Sequence, residues 1–516
     1  MTTVAAVAIL GLTVFSTAHG LTARASHLGA QSHALSYNLA WHANLDANAD
    51  STAVVASNVL LRNHRRSALV YVLAGNNDND CDPGSPVSPA TLYAFDESTG
   101  KELWHRSTTG QERCTTAAPA VWGSWIYSPG LDGYVHKYAM ATGTEFRKDG
   151  WPEQFTKQPD VEKESSKLVV SSPYLYATTS GFNGDAGHYE GHVVTINLKT
   201  GRKNVWNSLC SNIHHLITDN QGTASYCPDA QAGMFGRGQA AIDPLNKDVY
   251  VVTGNGPWNG TTDWGDSILK LNPSGGKLLD AFTPPNQAYL NDSDSDLGST
   301  GPAILPPITS DHKTWNLLVQ GGKGPSTSYP GPAVLWLVNR MRMGSKPGPG
   351  HLSEGLQNIE APGGCEVLTK PAVWTNKAGK PEVIYANDCG VTAYRIVTSP
   401  TSPPQLSVVW SLPDGATSPV MSAGVLYLGR SGEVDAYDPA NGNELWSSSS
   451  DPGATIGNLH WEYPAVAGNW LFMTDENAEL FAFRRSRTDP CSTSPHEERR
   501  GHAGGLVQVR LAIPHV

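Results

Sequence analysis

The chain is poor in charge. Only 16% of its 516 residues are Asp, Glu, Lys or Arg, and the balance is acidic, at −11. Basic residues gather only briefly, at Arg62-Asn63-His64-Arg65-Arg66 and at Arg499-Arg500. A nucleic-acid binder needs a basic footprint against phosphate, so that class is excluded. No Cys-x-x-Cys pair occurs, which removes the common zinc and thiol-redox motifs. Gly-x-Ser-x-Gly, His-Glu-x-x-His and the P-loop are missing too, and with them the usual signatures of serine hydrolases, zinc peptidases and nucleotide hydrolases. Past the N-terminus no apolar run is long enough to span a bilayer. Helical periodicity is wanting, which disfavours stacked helical repeats.

What the chain does have is turn formers, with 52 Gly and 36 Pro. They suit many short strands joined by tight turns. The opening VAAVAILGLTVFSTAHG is too short to span a membrane but suits a signal-peptide core, and Ala23-Arg24-Ala25 supplies a cleavage signal. Residues 1–25 are therefore read as a signal peptide, and the protein as secreted or periplasmic. Seven cysteines fit export. Sequence order suggests Cys81–Cys114, Cys210–Cys227 and Cys365–Cys389, with Cys491 left over, though order does not determine connectivity.

The strongest signal is self-similarity. LYAFDESTGKELW (92–104) and VDAYDPANGNELW (434–446) share alternating apolar residues, an acidic turn, a Gly, and a Trp four residues after it. Weaker copies lie at 135–146, 193–206 and 268–279. Alternation at period two argues strand, and the Asp-x-x-Thr/Asn-Gly core argues a turn in which Gly supplies positive φ. A second element, such as APAVW (118–122), GPAIL (301–305), KPAVW (370–374), SPVMS (418–422) and YPAVA (463–467), recurs upstream of these copies. Each unit reads as three strands, a turn and a Trp-bearing strand, at a spacing of roughly 40 to 50 residues, the pattern of a propeller blade. Units begin near residues 52, 117, 167, 237, 300, 369, 417 and 462. The last lacks its Trp strand, and NLAWHANL (38–45) supplies one from the other end. The expected fold is all-β, an eight-bladed β-propeller of four-stranded blades over 26–486, closed by the N-terminal strand. Residues 487–516 do not fit the repeat and read as a disordered tail. Trp41, Trp104, Trp206, Trp410 and Trp446 are expected to pack between blades.

These repeats resemble those of the quinoprotein (PQQ-dependent) alcohol dehydrogenase superfamily over residues 38–485. The order VYVVTGNGPWNG (249–260), DSDSDLGSTGPAIL (292–305), LLVQGGKG (317–324) is similar to the cofactor-site blades of those enzymes. The resemblance implies PQQ and calcium as cofactors. It implies Asn255 and Asp185 as metal ligands, Asp294 or Asp296 as the catalytic base, and Lys323, Arg237 and Trp258 as contacts to the quinone. Calcium takes hard oxygen ligands, a carboxylate can accept the substrate proton, and an ammonium stabilises negative charge on quinone oxygens. No haem-attachment motif is present, so an enzyme of this kind needs an external electron acceptor.

The sequence departs from the family at three places. Only Cys114 stands where those enzymes often carry two adjacent cysteines. Arg237 stands where a Trp is expected to stack on the quinone. Asp185 and Glu190 are the nearest acids to an expected calcium-binding Glu, and neither is in register. DNDCDPG (78–84) and DSDSDLG (292–298) have the alternate oxygen spacing that opens a calcium loop, without its later Glu. Cys114-Thr115-Thr116, Arg237, residues 292–296 and His460-Trp461-Glu462 are expected to face one funnel. The expected function is an exported, quinoprotein dehydrogenase-like propeller acting on alcohol or sugar hydroxyls. The alternative is a non-enzymatic propeller that binds a protein or polysaccharide through the funnel.

Overall fold

The computed structural model describes residues 35–75, 89–238, 240–324 and 332–486. Eight antiparallel sheets follow one another around a ring, and seven of them are each built from one consecutive stretch of chain. Their innermost strands are Val54–Leu60, Ala120–Trp122, Val169–Ser171, Ala241–Ile242, Ala303–Ile304, Ala372–Thr375, Val420–Ser422 and Ala465–Ala467. These define blades 1 to 8. The third blade carries one extra short strand, Lys163–Glu164, and the fifth an added hairpin, Ile308–Ser310 with Lys313–Trp315.

The N-terminal strand Tyr37–Asn44 closes the ring. It pairs with the third strand of blade 8, Glu479–Arg485, from Tyr37 opposite Arg485 to Asn44 opposite Glu479. The first and last described strands thus lie in one sheet, and the edge that would invite aggregation is covered.

The core is divided rather than central. Each of eight hydrophobic clusters joins one pair of neighbouring blades. Period-two alternation produces this division. Along Arg66–Ala74, the side chains of Val70 and Val72 pack toward blade 8, while Leu69, Tyr71 and Leu73 pack toward blade 2. A blade is therefore apolar on both faces, and its strands read as near-continuous hydrophobic runs.

The repeat's Trp and Gly serve that packing. Trp41 donates its indole N–H to the Glu97 carbonyl at 2.8 Å, Trp104 to Met140 at 2.9 Å, and Trp410 to Pro439 at 2.8 Å. Each acceptor lies in the turn of the next blade. Each ring then lies over the Gly of that turn: a Cβ on Gly100, Gly143 or Gly442 would stand 2.6, 2.6 or 2.9 Å from the Trp41, Trp104 or Trp410 ring. The three glycines have φ of +68°, +61° and +73°, so Gly is required twice over, for the dihedral and for the space.

Cys210–Cys227 and Cys365–Cys389 are disulfide-bonded, as their order suggested. Cys81, Cys491, the acidic run at 78–84, residues 1–25 and the tail from 487 lie outside the described residues. The acidic run at 292–298 ends a short helix, Gln287–Asp292, and leads into a single turn at Leu297–Ser299. No helix among the described residues is long and apolar enough to cross a membrane.

Candidate functional site

The segments that enter the innermost strands build one cavity of about 370 Å3 on the ring axis. Its lining follows a register. The residue four places before the innermost strand lines the cavity in seven of the eight blades: Asp50, Thr116, Ser165, Arg237, Ser299, Leu368 and, in blade 8, Trp461. Blade 7 is the exception. The ring thus brings together side chains that lie hundreds of residues apart.

One wall is acidic. It is built from the loops of blades 3, 4 and 5. Asp185 accepts from the Asn255 amide Nδ2 at 2.9 Å, from the Tyr189 hydroxyl at 2.5 Å, and from Gln231 at 3.2 Å. Asp185 itself has φ of +51°, a conformation that Asp tolerates better than most residues. The backbone N–H of Asn255 donates to Asp296 Oδ1 at 2.7 Å. Lys323 Nζ lies 2.7 Å from Asp294 and 3.6 Å from Asp296, and its backbone N–H donates to the Asp296 carbonyl at 2.9 Å. Asn255, Asp185, Asp294, Asp296 and Lys323 therefore form one connected group. Asp296 is buried and Asp294 is exposed.

Burial pushes the Asp296 carboxyl up to about 7, with the charge of Asp294 and Asp185 adding to it against the pull of Lys323. Burial alone would lower Lys323, but Asp296 and Asp294 overcome it and hold the ammonium above its ordinary value. The site thus pairs a carboxyl poised near neutrality with a firmly charged ammonium.

The opposite wall is cationic and aromatic. Arg237 is buried, donates to the Ser165 carbonyl at 2.8 Å, and lies 4.9 Å from the centroid of the Trp461 ring. Lys163 lies 5.7 Å from the Phe182 ring, and burial together with the Arg237 charge lowers it to about 8.

Three residues singled out from the sequence sit elsewhere. Trp258 does not line the cavity. The Asn259 side chain accepts the N–H groups of Thr261, Thr262 and Asp263 and turns the chain back, so that Trp258 bridges to Trp264 and packs in the cluster between blades 3 and 4. Glu462 is buried, not at the funnel mouth, and accepts the His460 backbone N–H at 2.6 Å. Glu190 is buried as well and shares Gln158 with Glu162, at 3.2 and 3.1 Å. Its place is outside the cavity. Sequence reasoning missed Asp50, Lys163 and Phe182. The signal that finds Asp50 is positional: it stands at the same offset from its innermost strand as Thr116 and Arg237.

A hard cation fits the acidic wall. The Asn255 amide oxygen is buried with no hydrogen-bond partner, beside the carboxylates of Asp185 and Asp296. These are oxygen donors of the type that calcium takes. Asp185, Asp294 and Asp296 do not all come within 4.8 Å of one another. Among the described residues the group that does, Cys210, Cys227 and Asp229, has its sulfurs committed to a disulfide. A flat, anionic quinone fits the space between Arg237, Lys163 and Lys323 in charge and in size.

Comparisons with known proteins agree on the architecture. The PQQ_2 family model, described as outer membrane protein assembly factor BamB, matches residues 409–488. No curated protein matches in sequence. Among solved structures, the chain is similar to quinohemoprotein alcohol dehydrogenase ADHIIG from Pseudomonas putida HK5, with a TM-score of 0.55 and 13% identity over 90% of this chain and 78% of that one. It is similar to the quinohemoprotein alcohol dehydrogenase of Comamonas testosteroni, at 0.55 and 15% over 89% and 78%. A europium-containing methanol dehydrogenase gives 0.55 and 15% over 87% and 93%. The chain thus has the β-propeller fold that it shares with these solved structures, and over residues 409–488 it matches the PQQ_2 repeat.

Proposed function

We propose that the protein is an exported oxidoreductase that acts on an alcohol or sugar hydroxyl in its axial cavity, with a PQQ-type quinone and a hard cation bound there. One observation carries the reading: a buried carboxyl near pH 7, Asp296, held between the Asn255 backbone and the Lys323 ammonium. Asp185 and the Asn255 amide oxygen would hold the cation. When bound, a quinone of this class supplies a two-electron acceptor for hydride.

The chain's own groups do the rest. Asp296 receives the hydroxyl proton, which its pKa suits, because a general base works best near the operating pH. Asp294 is the more exposed carboxylate and leads the proton outward. Lys323 keeps a positive charge at the rim of the cavity, where negative charge develops. Arg237 and Lys163 hold anionic substituents on the far side. Cys210–Cys227 and Cys365–Cys389 support export, since disulfides persist in oxidising compartments. Reoxidation needs a separate acceptor.

A second reading is favoured by two observations. Lys323 already neutralises Asp294 and Asp296, and Arg237 already faces the Trp461 ring. A site satisfied in this way can dock a protein or polysaccharide through the funnel without redox chemistry. The family description over 409–488, an assembly factor, belongs with that reading.

The two separate in one assay. Protein reconstituted with PQQ and either calcium or europium is offered primary alcohols and sugars with an artificial electron acceptor. Turnover that falls at least roughly a hundredfold in Asp296→Asn, as expected for loss of a general base, supports the enzyme. No turnover with any acceptor, in protein shown to hold the quinone, supports the docking propeller.

A further inference from the structure

Arg237 lines the cavity with half of its guanidinium unpaired. The residue is 7% exposed, and no carboxylate among the described residues comes within ion-pair distance of it. Asp50, the acid of the same wall, faces His460 Nδ1 at 3.8 Å. Nη1 takes both side-chain hydrogen bonds of Arg237, to the Ser165 carbonyl at 2.8 Å and to the Thr116 hydroxyl at 3.4 Å. Nε and Nη2 donate to no protein group among the described residues. These two nitrogens form the guanidinium edge whose parallel N–H groups match a carboxylate. The Trp461 ring backs the same guanidinium at 4.9 Å. A buried cation without a paired anion is costly, so the site is built for one.

The backbone ties Arg237 to the acidic wall. Residues 235–237 run parallel to residues 298–300 of the next blade. Gly236 donates its N–H to the Gly298 carbonyl at 2.9 Å, and the Arg237 carbonyl accepts from Gly301 at 2.8 Å. A Cβ on Gly236 would collide with the Thr300 backbone, so glycine permits this approach. Phe235 and Asp296 adjoin as well: a Cβ on Gly254 would collide with the Asp296 carboxylate and lie 3.2 Å from Phe235 Cδ2. Arg237, Phe235 and Asp296 all line the one cavity. A cation edge, an aromatic face and a carboxylate therefore follow one another along a single strip of its lining.

We propose that the cavity takes a carboxylated saccharide, a uronic acid, with its carboxylate on the Nε–Nη2 edge of Arg237, its ring against Phe235 and its hydroxyls on Asp296 and Asp294. Arg binds a carboxylate through two N–H groups, an aromatic face covers the apolar face of a sugar, and carboxylates accept from hydroxyls. A neutral alcohol meets only the last two and leaves Arg237 unpaired. Lys163 lines the same cavity and adds positive charge. The volume, about 370 Å3, falls within the roughly 300–1,000 Å3 of small-ligand sites. The uronic acid is the substrate if its hydroxyl is oxidised, and the terminal residue of a polysaccharide if it is only bound. The site needs neither quinone nor cation, so it stands or falls apart from the oxidoreductase reading.

The test uses the purified, quinone-free full chain with its disulfides intact and sodium glucuronate as probe, at an ionic strength fixed with chloride. Calorimetric titration and melting temperature compare glucuronate with glucose and with the methyl ester of glucuronate, which keeps the shape and loses the charge. Glucuronate is expected to bind saturably and to raise the melting temperature with the logarithm of its concentration. Glucose and the ester should bind at least about tenfold more weakly, as loss of one charge-assisted pair implies. Arg237→Met keeps an apolar stem and should abolish the preference for the acid, while Arg237→Lys, a point charge without the fork, should restore only part of it. The comparison of acid with ester needs no variant and decides the matter even if Arg237→Met does not fold. A parallel titration with PQQ separates the two sources of carboxylate. Glucuronate binding without PQQ binding supports the proposal while the oxidoreductase reading falls. Binding of PQQ but not of glucuronate would give Arg237 to the quinone and overturn the proposal, as would equal binding of acid and ester or an undiminished preference in Arg237→Met.

Discussion

Asn255 reaches into the neighbouring blade, its side-chain amide 2.9 Å from the Asp185 carboxylate. The same residue holds Asp296 by its backbone N–H at 2.7 Å. One asparagine therefore sets the spacing of two carboxylates, and its amide oxygen is left buried without a partner. The consequence for cation binding is direct.

Asn255→Ala removes the donor to Asp185 and the candidate oxygen ligand together, while the backbone bond to Asp296 survives. Stability without added cation is expected to fall by about 1–2 kcal/mol, the cost of one buried hydrogen bond. Any rise in melting temperature with calcium or europium should vanish. Thermal melts with and without each ion check both. A cation-dependent rise that persists in Asn255→Ala would place the metal elsewhere.

The raised pKa of Asp296 fixes a pH dependence. Its ordinary value is 3.8 and its folded value about 7, so between these the folded state holds a proton that the unfolded state has lost. The unfolded state then binds fewer protons, and stability falls as pH rises through that window and levels off above it. Glu462, near 8, and Asp435, near 6, act in the same direction. Asp296→Asn removes one share of the fall, on the order of 2 kcal/mol between pH 4 and pH 8 after allowing for relaxation. Urea unfolding of both proteins at the two pH values measures the difference. Parallel losses in the two chains would contradict it.

The docking of Trp on Gly predicts an ordered set of penalties. Gly100→Ala and Gly143→Ala place a methyl 2.6 Å from a packed indole at positive φ, and are expected to cost about 2–4 kcal/mol. Gly123→Ala has φ of +62° but no heavy atom within 4 Å, and should cost only about 1 kcal/mol. Denaturant midpoints rank the three. Equal penalties would mean that the dihedral alone matters.

This packing is legible in the sequence itself. The Trp four residues after Gly and the alternation at period two give blades, their number and their closure by Tyr37–Asn44. The cavity is legible only in part. Asp50, Thr116, Ser165, Arg237, Ser299, Leu368 and Trp461 share an offset but no chemistry, so no residue-type motif marks them. Trp258 misleads for the opposite reason. It is an aromatic residue beside site-like asparagines, and only the turn made by Asn259 sends it into the core.

The Cys210–Cys227 bridge closes a short loop, at a sequence separation of 17. Replacing both residues with Ser should cost about 3 kcal/mol, from the chain entropy of a loop of that size. The bridge joins the long segment between blades 3 and 4, which carries Gln231, a donor to Asp185. Cation-dependent stabilisation should therefore weaken along with stability in the paired variant. Unfolding by urea with and without calcium reports both, and an unchanged cation response would separate the loop from the site.

A quinone and cation site in the axial cavity has a direct signature. Equilibrium titration of the calcium-loaded protein with PQQ, followed by quinone absorbance and by melting temperature, reads it. A ligand bound only by the folded state adds RT ln(1 + [L]/Kd), about 2.7 kcal/mol at a hundredfold excess. The expected result is a saturable, calcium-dependent shift in both signals that is lost in Asn255→Ala and in Arg237→Ala. No spectral change and no thermal shift at saturating PQQ, with calcium or with europium, would contradict a quinone site in this propeller.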